Sequence, residues 1–416
     1  MTVQEFLNNS YTAYHATANA IAILKANGFA ELAMDGKTRK WKIERGGKYF
    51  VTRNGSSLIA FVVGQNNVFN VCESHTDSPS FKLKGAKLIE SEGIKRLNTE
   101  KYGGGLLYSY LDRPLKIAGR VLVETANGVA QKLVASSYNL VIPSLAIHHN
   151  PSANDSLSLN AQNDTLPLLA QSECDLYATL TDGKVLDADL YVVPSVEAFT
   201  SGVKGEFLSS PRLDNLTSVY ASINALVNAK PQDIAVVACL DNEEVGSGTR
   251  QGSPNFINQV LDAIAEGLGL TYAENLSARD NGMVLSVDNG HAAHPAHPEK
   301  SDPQNRVRMN GGVVIKHHTN YATDGLTSAA FKRLMDMAGV QYQDYFNRSD
   351  LRCGTTLGLA TANRTGMKVC DVGIAQLAMH SACETCGFSD VEAMQRCLRT
   401  FLSAKINGTD DVTVRI

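Results

Sequence analysis

The stretch IAVVACLDNEEVGS (residues 234–247) joins a continuous apolar run to a pair of adjacent acids. Seven apolar residues in succession are typical of a strand that is covered on both faces of its sheet. Apolar residues at helical spacing flank this strand at 216–227 and 254–268. The alternation continues with strands at 282–287 and 367–374, a helix at 326–339 and a last helix opened by a capping box at 389–392. The sequence therefore predicts an α/β fold with a doubly wound, largely parallel sheet.

The half of the chain before this stretch contains two kinds of sequence pattern, a helix followed by strands and then a series of short apolar runs. A helix is predicted through Tyr14, Ile21 and Leu24, ending near Gly28, and strands follow at 57–63 and 67–73. From about 85 to 200 the chain carries short apolar runs such as LKIAGRVLVET, GVAQKLVASS and DLYATL, without a long helical pattern. We therefore expect a β-rich domain at 86–199 inserted into a discontinuous catalytic domain, residues 1–85 and 200–416.

Composition excludes several classes of protein. The 416 residues carry 38 Lys and Arg against 42 Asp and Glu, a net charge of -4, so no basic surface for nucleic acid or an anionic membrane is expected. No apolar run approaches the roughly 18 residues of a membrane span. The start lacks a signal-peptide pattern, which predicts a cytoplasmic protein. Charged residues are 19%, against roughly 25% on average, which is consistent with surface covered in an assembly.

The eight cysteines are scattered, which is typical of reduced, mostly buried thiols. Cys383 and Cys386 form a C-x-x-C that allows a redox pair or half of a zinc knuckle. A second such motif, needed for a four-cysteine site, does not occur in the sequence. We therefore favour the interpretation that these two cysteines are structural.

Acids and histidines follow the predicted buried strands. They are His75 and Asp77, then Asp241, Glu243 and Glu244, then Asp288 and His291, and finally His380; Asp214 stands at the start of a helix. Each of them alone is more often a surface or hydrogen-bonded structural residue. Because ligands of open α/β sheets bind at the carboxyl ends of strands, their common placement predicts a single functional rim.

Such a set of side chains suits a divalent metal. Imidazoles and carboxylates without thiolates favour Zn²⁺, Mn²⁺ or Co²⁺. Two imidazoles and three carboxylates exceed what one catalytic ion needs, and they fit two ions that share a carboxylate. A remaining Glu is then free to act as general base, and Asp77 is placed to hold the other ring nitrogen of His75.

Seven short motifs occur in order along the chain: HTDSP (75–79), YGGG (102–105), PRLDN (211–215), DNEEVGS (241–247), HPAHP (294–298), SDLRCGTTLG (349–358) and QLAMHS (376–381). With these motifs the sequence resembles the aspartyl aminopeptidases, a family of cocatalytic-zinc metallopeptidases. The resemblance extends from about residue 10 to about residue 400. One departure is Asn242, where relatives often carry His.

The resemblance implies a role for each matching residue. His75, Asp214 and Asp288 would bind one zinc ion; Asp214, Glu244 and His380 would bind the other, with Asp214 bridging; Mn or Co is an alternative for one of the ions. Glu243 would take a proton from the attacking water. His148, His291, Lys316 and Tyr321 would contact the peptide substrate.

The resemblance also implies specificity and assembly. Lys316 would pair with an acidic side chain, so the expected reaction is removal of an N-terminal residue, preferentially Asp or Glu, from peptides by a water that two metal ions activate. The insertion would be a dimerisation domain that brings His148 to the active site of a neighbouring subunit, within a homo-oligomer, typically a dodecamer.

Other functions remain open at this stage. One is an aminopeptidase for neutral residues, or an amidase, on the same two-metal scaffold. Another is a catalytically inactive oligomeric scaffold, although the intact ligand set argues against it. A serine hydrolase is disfavoured because the sequence contains no G-x-S-x-G elbow.

Overall fold

The computed structural model describes residues 1–34 and 41–416. Helices and strands alternate along much of this chain. The α-helices among the described residues are α1 (Val3–Asn9), α2 (Ala13–Ala26), α3 (Leu213–Asn228), α4 (Asn255–Gly267), α5 (Tyr272–Asp280), α6 (Gly325–Ala338), α7 (Leu357–Thr365) and α8 (Phe388–Ser403).

The strands form three larger sheets and a terminal hairpin. In chain order they are β1 (Ala30–Glu31), β2 (Lys48–Arg53), β3 (Ser57–Val63), β4 (Phe69–His75), β5 (Ser80–Ser91), β6 (Ile94–Tyr102), β7 (Leu115–Thr125), β8 (Gly128–Ala135), β9 (Leu168–Ala170), β10 (Val185–Pro194), β11 (Phe199–Ser201), β12 (Phe207–Ser210), β13 (Ile234–Leu240), β14 (Met283–Val287), β15 (Gly290–His291), β16 (Val313–His317), β17 (Tyr342–Phe346), β18 (Lys368–Gly373), β19 (Ala375–Leu377), β20 (Glu384–Gly387), β21 (Asn407–Asp410) and β22 (Thr413–Arg415).

The largest sheet has the order β1-β2-β3-β13-β4-β14-β18-β16-β17. Its central strands β13, β4, β14 and β18 are parallel, whereas β3 is antiparallel to both its neighbours and β16 is antiparallel to β18. A hairpin at Asn54 and Gly55, both with positive φ, reverses the chain between β2 and β3. The predicted α/β fold is confirmed, but the sheet is mixed rather than parallel from edge to edge.

The central strand β13 shows why its sequence is continuously apolar. Ala235, Val237 and Cys239 pack on one face of the sheet with residues of α1, α2, α3, α6 and α8. Ile234, Val236 and the other intervening residues pack on the opposite face, mainly with α4 and α7. Both faces are therefore covered, as the strand pattern predicts.

The start of α8 differs from the prediction. The residue before the helix is Gly387, and the predicted cap Ser389 lies inside the first turn. The Ser389 hydroxyl donates to Asn310 Oδ1 at 2.8 Å instead of capping its own helix. The predicted capping box with Glu392 is wrong because this contact with another loop occupies the Ser389 side chain.

The second sheet lies between residues 80 and 194 and has the order β8-β7-β10-β5-β6-β9, with every pair antiparallel. It packs on its own apolar cluster, which includes Phe81, Ile117 and Val192. The runs at 115–125 and 128–135 are strands as expected. DLYATL (175–180) is not a strand, since Asp175 Oδ1 accepts hydrogen bonds from the backbone N–H groups of Tyr177 and Ala178 and turns the chain there.

The third sheet has the order β11-β12-β20-β19-β15 and positions loops rather than a large core. β12 ends at Ser210, shortly before Asp214, and β19 and β20 enclose the loop that carries His380. None of the helices that the structure describes is long and apolar enough to cross a membrane.

Candidate metal centre

Three ends of parallel strands converge on one point. His75 is the last residue of β4, and its register partner in β13 is Leu240. Glu243 and Glu244 follow β13 in a short 3₁₀ turn, and Asp288 follows β14, which is the other neighbour of β4. The carboxyl ends of these strands meet at one edge of the sheet, so the structure brings these four side chains together.

His380 reaches the same point by a different route. It follows β19 of the third sheet, not a strand of the main sheet, and it has a φ of 67°. The expectation that it directly follows a buried strand of the main sheet is therefore wrong. Asp214 precedes the regular part of α3, with non-helical φ and ψ of -80° and 107°. The third sheet thus positions both residues, His380 in the loop between β19 and β20 and Asp214 shortly after β12.

The first group of possible ligands is His75, Asp214 and Asp288. His75 Nε2 lies 3.4 Å from Asp214 Oδ1 and 3.5 Å from Asp288 Oδ1. The other ring nitrogen of His75, Nδ1, is 3.1 Å from the Asp77 carbonyl oxygen and 3.4 Å from its Oδ1. Since a carbonyl oxygen can only accept, Nδ1 carries the hydrogen and Nε2 is left as the ligand atom.

The second group is Asp214, Glu244 and His380. His380 Nε2 lies 3.3 Å from Asp214 Oδ2 and 3.4 Å from Glu244 Oε1. His380 Nδ1 is 3.2 Å from the carbonyl oxygen of Gly104, so here too Nε2 is the free nitrogen. Asp214 thus presents one carboxylate oxygen to each imidazole and belongs to both groups.

The cluster brings several carboxylates close together in a buried place, and bound cations would compensate their negative charge. Burial raises the pKa of Glu243 to about 7, and it raises the pKa of Glu244 well above the ordinary value, with Asp214 as the next cause. Burial opposes protonation of His75, but the neighbouring carboxylates of Asp214 and Asp288 raise its pKa well above the ordinary value. Asp214 Oδ1 and Glu244 Oε1 are buried without a hydrogen-bond partner among the described residues. Buried oxygen atoms of this kind, beside two imidazole nitrogens, fit zinc.

Asp77 organises the acid pair. Its Oδ1 accepts from the N–H of Glu243 and its Oδ2 from the N–H of Glu244, both at 3.1 Å. Asp77 Oδ2 also accepts from the hydroxyl of Tyr102 at 2.7 Å, and Tyr102 in turn accepts from Asn242 Nδ2 at 2.8 Å. Asp77 therefore touches His75 and fixes the turn that bears both glutamates.

Two residues of the site were not assigned a role from the sequence. Tyr102 begins the YGGG motif at the end of β6, so the only available signal was the motif itself. Glu384 is 1% exposed and accepts from the backbone N–H groups of Asp214 and His380. Burial, and then the Asp214 charge, raise the pKa of Glu384 to about 8, while the two N–H groups oppose that shift.

Three of the four predicted substrate contacts lie beside the first ligand group. Lys316 Nζ is 3.4 Å from Asp288 Oδ2 and 5.5 Å from the ring centroid of Tyr321. Desolvation, followed by the charge of Lys316, lowers the pKa of His291, which lies close to the same carboxylates. His148 lies apart in an exposed turn and makes no side-chain hydrogen bond or ion pair with the described residues of this subunit.

Comparison with known proteins identifies the family. The sequence model of the M18 peptidases, described as aminopeptidase I zinc metalloprotease, matches residues 6–184 and 174–402. The chain belongs to this family. A curated relative, "Probable M18 family aminopeptidase 2" of Clostridium acetobutylicum, is 37% identical over 95% of this chain and 96% of its own length. This M18 chain is accordingly a zinc metallo-aminopeptidase, and the predicted membership of the aspartyl aminopeptidase-like family is confirmed.

Solved structures agree with this M18 assignment. Ape4, in a cryo-EM structure of its complex with Nbr1, has a TM-score of 0.89 at 33% identity, covering 96% of this chain and 84% of that chain. The S. cerevisiae mApe1 dodecamer has a TM-score of 0.82 at 26% identity, covering 96% of this chain and 95% of that chain. The M18 fold therefore extends over almost the whole chain, including the second sheet.

Proposed function

We propose that this M18 aminopeptidase uses two zinc ions to remove single N-terminal residues from peptides, with a preference for Asp and Glu. The proposal of two metal ions rests mainly on the position of Asp214. Asp214 directs Oδ1 to His75 and Oδ2 to His380, and each imidazole has a further carboxylate neighbour. A shared carboxylate between two imidazole–carboxylate groups is the donor set of a two-metal site.

Each ligand group has a complete set of donors. His75, Asp214 and Asp288 would hold one ion, and Asp214, Glu244 and His380 the other. When bound, the ions would act as Lewis acids that polarise the scissile carbonyl and stabilise negative charge on its oxygen. Mn²⁺ or Co²⁺ suits the same nitrogen and oxygen donors and is an alternative in one position.

Glu243 is the proposed general base. It belongs to neither of the two proposed ligand sets, and its side chain is 16% exposed, so it faces the cleft. Its backbone N–H is anchored by Asp77. Burial raises its pKa to about 7, near the range in which a carboxylate exchanges protons effectively at neutral pH. Glu243 would take a proton from the attacking water and return it to the departing amine.

Lys316 supports the preference for acidic residues. Its side chain is 3% exposed, and its ammonium donates no hydrogen bond to any other described residue, although Asp288 Oδ2 lies 3.4 Å away. An ammonium group has three donors, and the ion pair with Asp288 leaves room for further acceptors. A substrate carboxylate beside Lys316 would supply one, with Tyr321 and His291 lining the same region.

The second sheet supports a homo-oligomer. We propose that residues 86–199 are a dimerisation domain inserted into the catalytic domain of residues 1–85 and 200–416. The loop around His148 exposes Leu145, Ile147 and Leu157 by 69%, 48% and 45%. An apolar loop of this kind is typical of a protein interface. In such a dimer His148 would contact the substrate in the partner's site, and the dodecameric mApe1 structure makes a dodecamer built from dimers the expected assembly.

The test combines metal content, substrate preference and size. The protein is reconstituted with Zn²⁺, Mn²⁺ or Co²⁺, its metal is counted, and it is assayed on Asp-, Glu- and Leu-anilides and on an N-acetylated aspartyl anilide. We expect two metal ions per chain, faster cleavage of the acidic anilides, no cleavage of the blocked one, and elution as an oligomer. One ion per chain would contradict the two-metal site, and equal rates on Leu- and Asp-anilides would contradict the acidic preference. Cleavage of the blocked substrate would contradict aminopeptidase activity, and a monomer would contradict the proposed assembly.

A further inference from the structure

A single buried carboxylate connects the two loops that carry Asp214 and His380. Glu384, the first residue of β20, accepts from the N–H of Asp214 at Oε2 over 2.9 Å and from the N–H of His380 at Oε1 over 2.6 Å. Along the chain, Glu384 lies 170 positions after Asp214 and four positions after His380. Glu384 contacts the backbone of both ligands and occurs in none of the possible ligand groups.

The two backbone N–H groups depend on this carboxylate. Asp214 is non-helical although it lies in the first turn of α3, and His380 lies in a loop with positive φ. Neither residue is therefore placed by the ladder of the main sheet. A buried N–H group without an acceptor is destabilising, so Glu384 satisfies both groups and sets the separation of their backbones.

The other ligand group is built differently. His75 is the last residue of β4 and Asp288 follows β14, so the parallel sheet itself positions them. Only Asp214 is common to both groups. Loss of the Glu384 contacts should therefore disturb the group of Asp214, Glu244 and His380 more than the group of His75, Asp214 and Asp288.

We propose that Glu384 is a positioning residue that sets the metal affinity of the group formed by Asp214, Glu244 and His380. This inference rests on the proposed two-metal function. Both oxygens of Glu384 are required, because a carboxylate can accept at each of them while a glutamine amide accepts at only one. In Glu384→Gln the amide nitrogen would face a backbone N–H, and one loop would lose its anchor.

The chain offers a matched control. Asp390 is also 1% exposed and also accepts two backbone N–H groups, from Asn310 at 2.6 Å and from Gly312 at 2.8 Å. Its contacts hold a loop that carries none of the ligand candidates. Asp390→Asn therefore reproduces the loss of a buried carboxylate anchor without touching either ligand group.

The experiment measures zinc affinity directly, by competition with a chromogenic chelator, in wild type, Glu384→Gln, Glu384→Asp and Asp390→Asn. We expect two tight sites in wild type and in Asp390→Asn. In Glu384→Gln we expect one site to weaken by about 10–100-fold, the usual range for residues that orient metal ligands. Excess zinc should then restore kcat while KM for an aspartyl anilide stays constant.

The outcomes separate the two proposals. Fewer than two zinc ions in wild type would contradict the proposed function itself. Two ions in wild type with unchanged affinities in Glu384→Gln, or with both sites weakened equally, would overturn the role of Glu384 alone. If Glu384→Gln does not fold, Glu384→Asp decides, because its shorter side chain keeps the charge but reaches only one N–H group, and two unaltered sites in it would equally overturn the inference.

Discussion

Tyr102 donates a hydrogen bond to Asp77 across 2.7 Å, and this bond joins the second sheet to the metal centre. Tyr102 is the last residue of β6, while Asp77 lies two residues after β4 of the main sheet. Asp77 in turn holds the backbone of Glu243 and Glu244. The second sheet therefore contributes directly to the geometry of the acid pair, whatever its role in assembly.

Removal of this hydroxyl should affect catalysis more than folding. In Tyr102→Phe we expect kcat to fall by about 10-fold, because Asp77 loses a partner that orients it. The free energy of unfolding should fall by about 1–2 kcal/mol. Tyr220→Phe is the control, since Tyr220 is buried and donates to the carbonyl oxygen of Met1 at 3.2 Å, a contact that involves no ligand candidate. Equal kcat values in the two variants would show that Tyr102 has only a structural role.

Glu243→Gln should separate turnover from metal binding. The amide cannot accept a proton, so we expect kcat to fall by about 10²–10⁴-fold while both zinc ions are retained. Glu244→Gln should behave differently and lose zinc, because Glu244 Oε1 is a ligand candidate beside His380. Zinc analysis and steady-state kinetics on the same samples make the comparison. Turnover close to wild type in zinc-loaded Glu243→Gln would rule out its role as base.

Lys316→Ala should reduce the preference for acidic substrates. Loss of a charge-assisted contact of roughly 1.5–3 kcal/mol predicts a drop of about 10–100-fold in the Asp-to-Leu ratio of kcat/KM. Lys332→Ala is the control, because Lys332 pairs with Asp344 at 2.8 Å on a more exposed surface. An unchanged ratio in Lys316→Ala with normal zinc content would assign specificity to another residue.

His15 should make stability dependent on pH. Burial, followed by the charge of Arg212, lowers the pKa of His15 to about 4. Its pKa in the unfolded chain is about 6.5, so between these values the unfolded chain binds more protons and stability falls as pH falls. We expect wild type to lose about 2 kcal/mol relative to His15→Gln between about pH 7.5 and about pH 5. Urea unfolding at both pH values measures this, and parallel changes in the two proteins would contradict it.

The predictability of the site follows from how each residue is placed. His75, Glu243, Glu244 and Asp288 stand at the ends of buried strands, where a local apolar pattern already shows the geometry. His380 lies in the loop between β19 and β20 and Asp214 at the non-helical start of α3, so their exact positions do not follow from the strand pattern of the main sheet, and their motifs were the stronger indication of a role. Glu384 gave no signal, because it lies between Cys383 and Cys386 and its partner Asp214 is 170 positions away.

The same distinction applies to the fold. Continuous apolar strands and amphipathic helices predicted the α/β class and most elements after residue 200. This was possible because a strand that is buried on both faces has an uninterrupted run of apolar residues. The antiparallel flanks of the main sheet and the start of α8 were not predicted. The antiparallel β2–β3 pair follows from a tight turn at Asn54 and Gly55, and the start of α8 depends on a contact between Ser389 and Asn310; neither feature changes the hydrophobic pattern.

The sequence by itself determined the fold class, the identity of the ligand candidates and the family resemblance, because hydrophobic periodicity and short motifs are local properties of a chain. Tertiary structure alone decided that Tyr102 of the second sheet holds Asp77 and that Glu384 holds the backbones of Asp214 and His380. These contacts join distant segments, and buried polar groups accept whichever partner the packing of the sheets brings within hydrogen-bond distance.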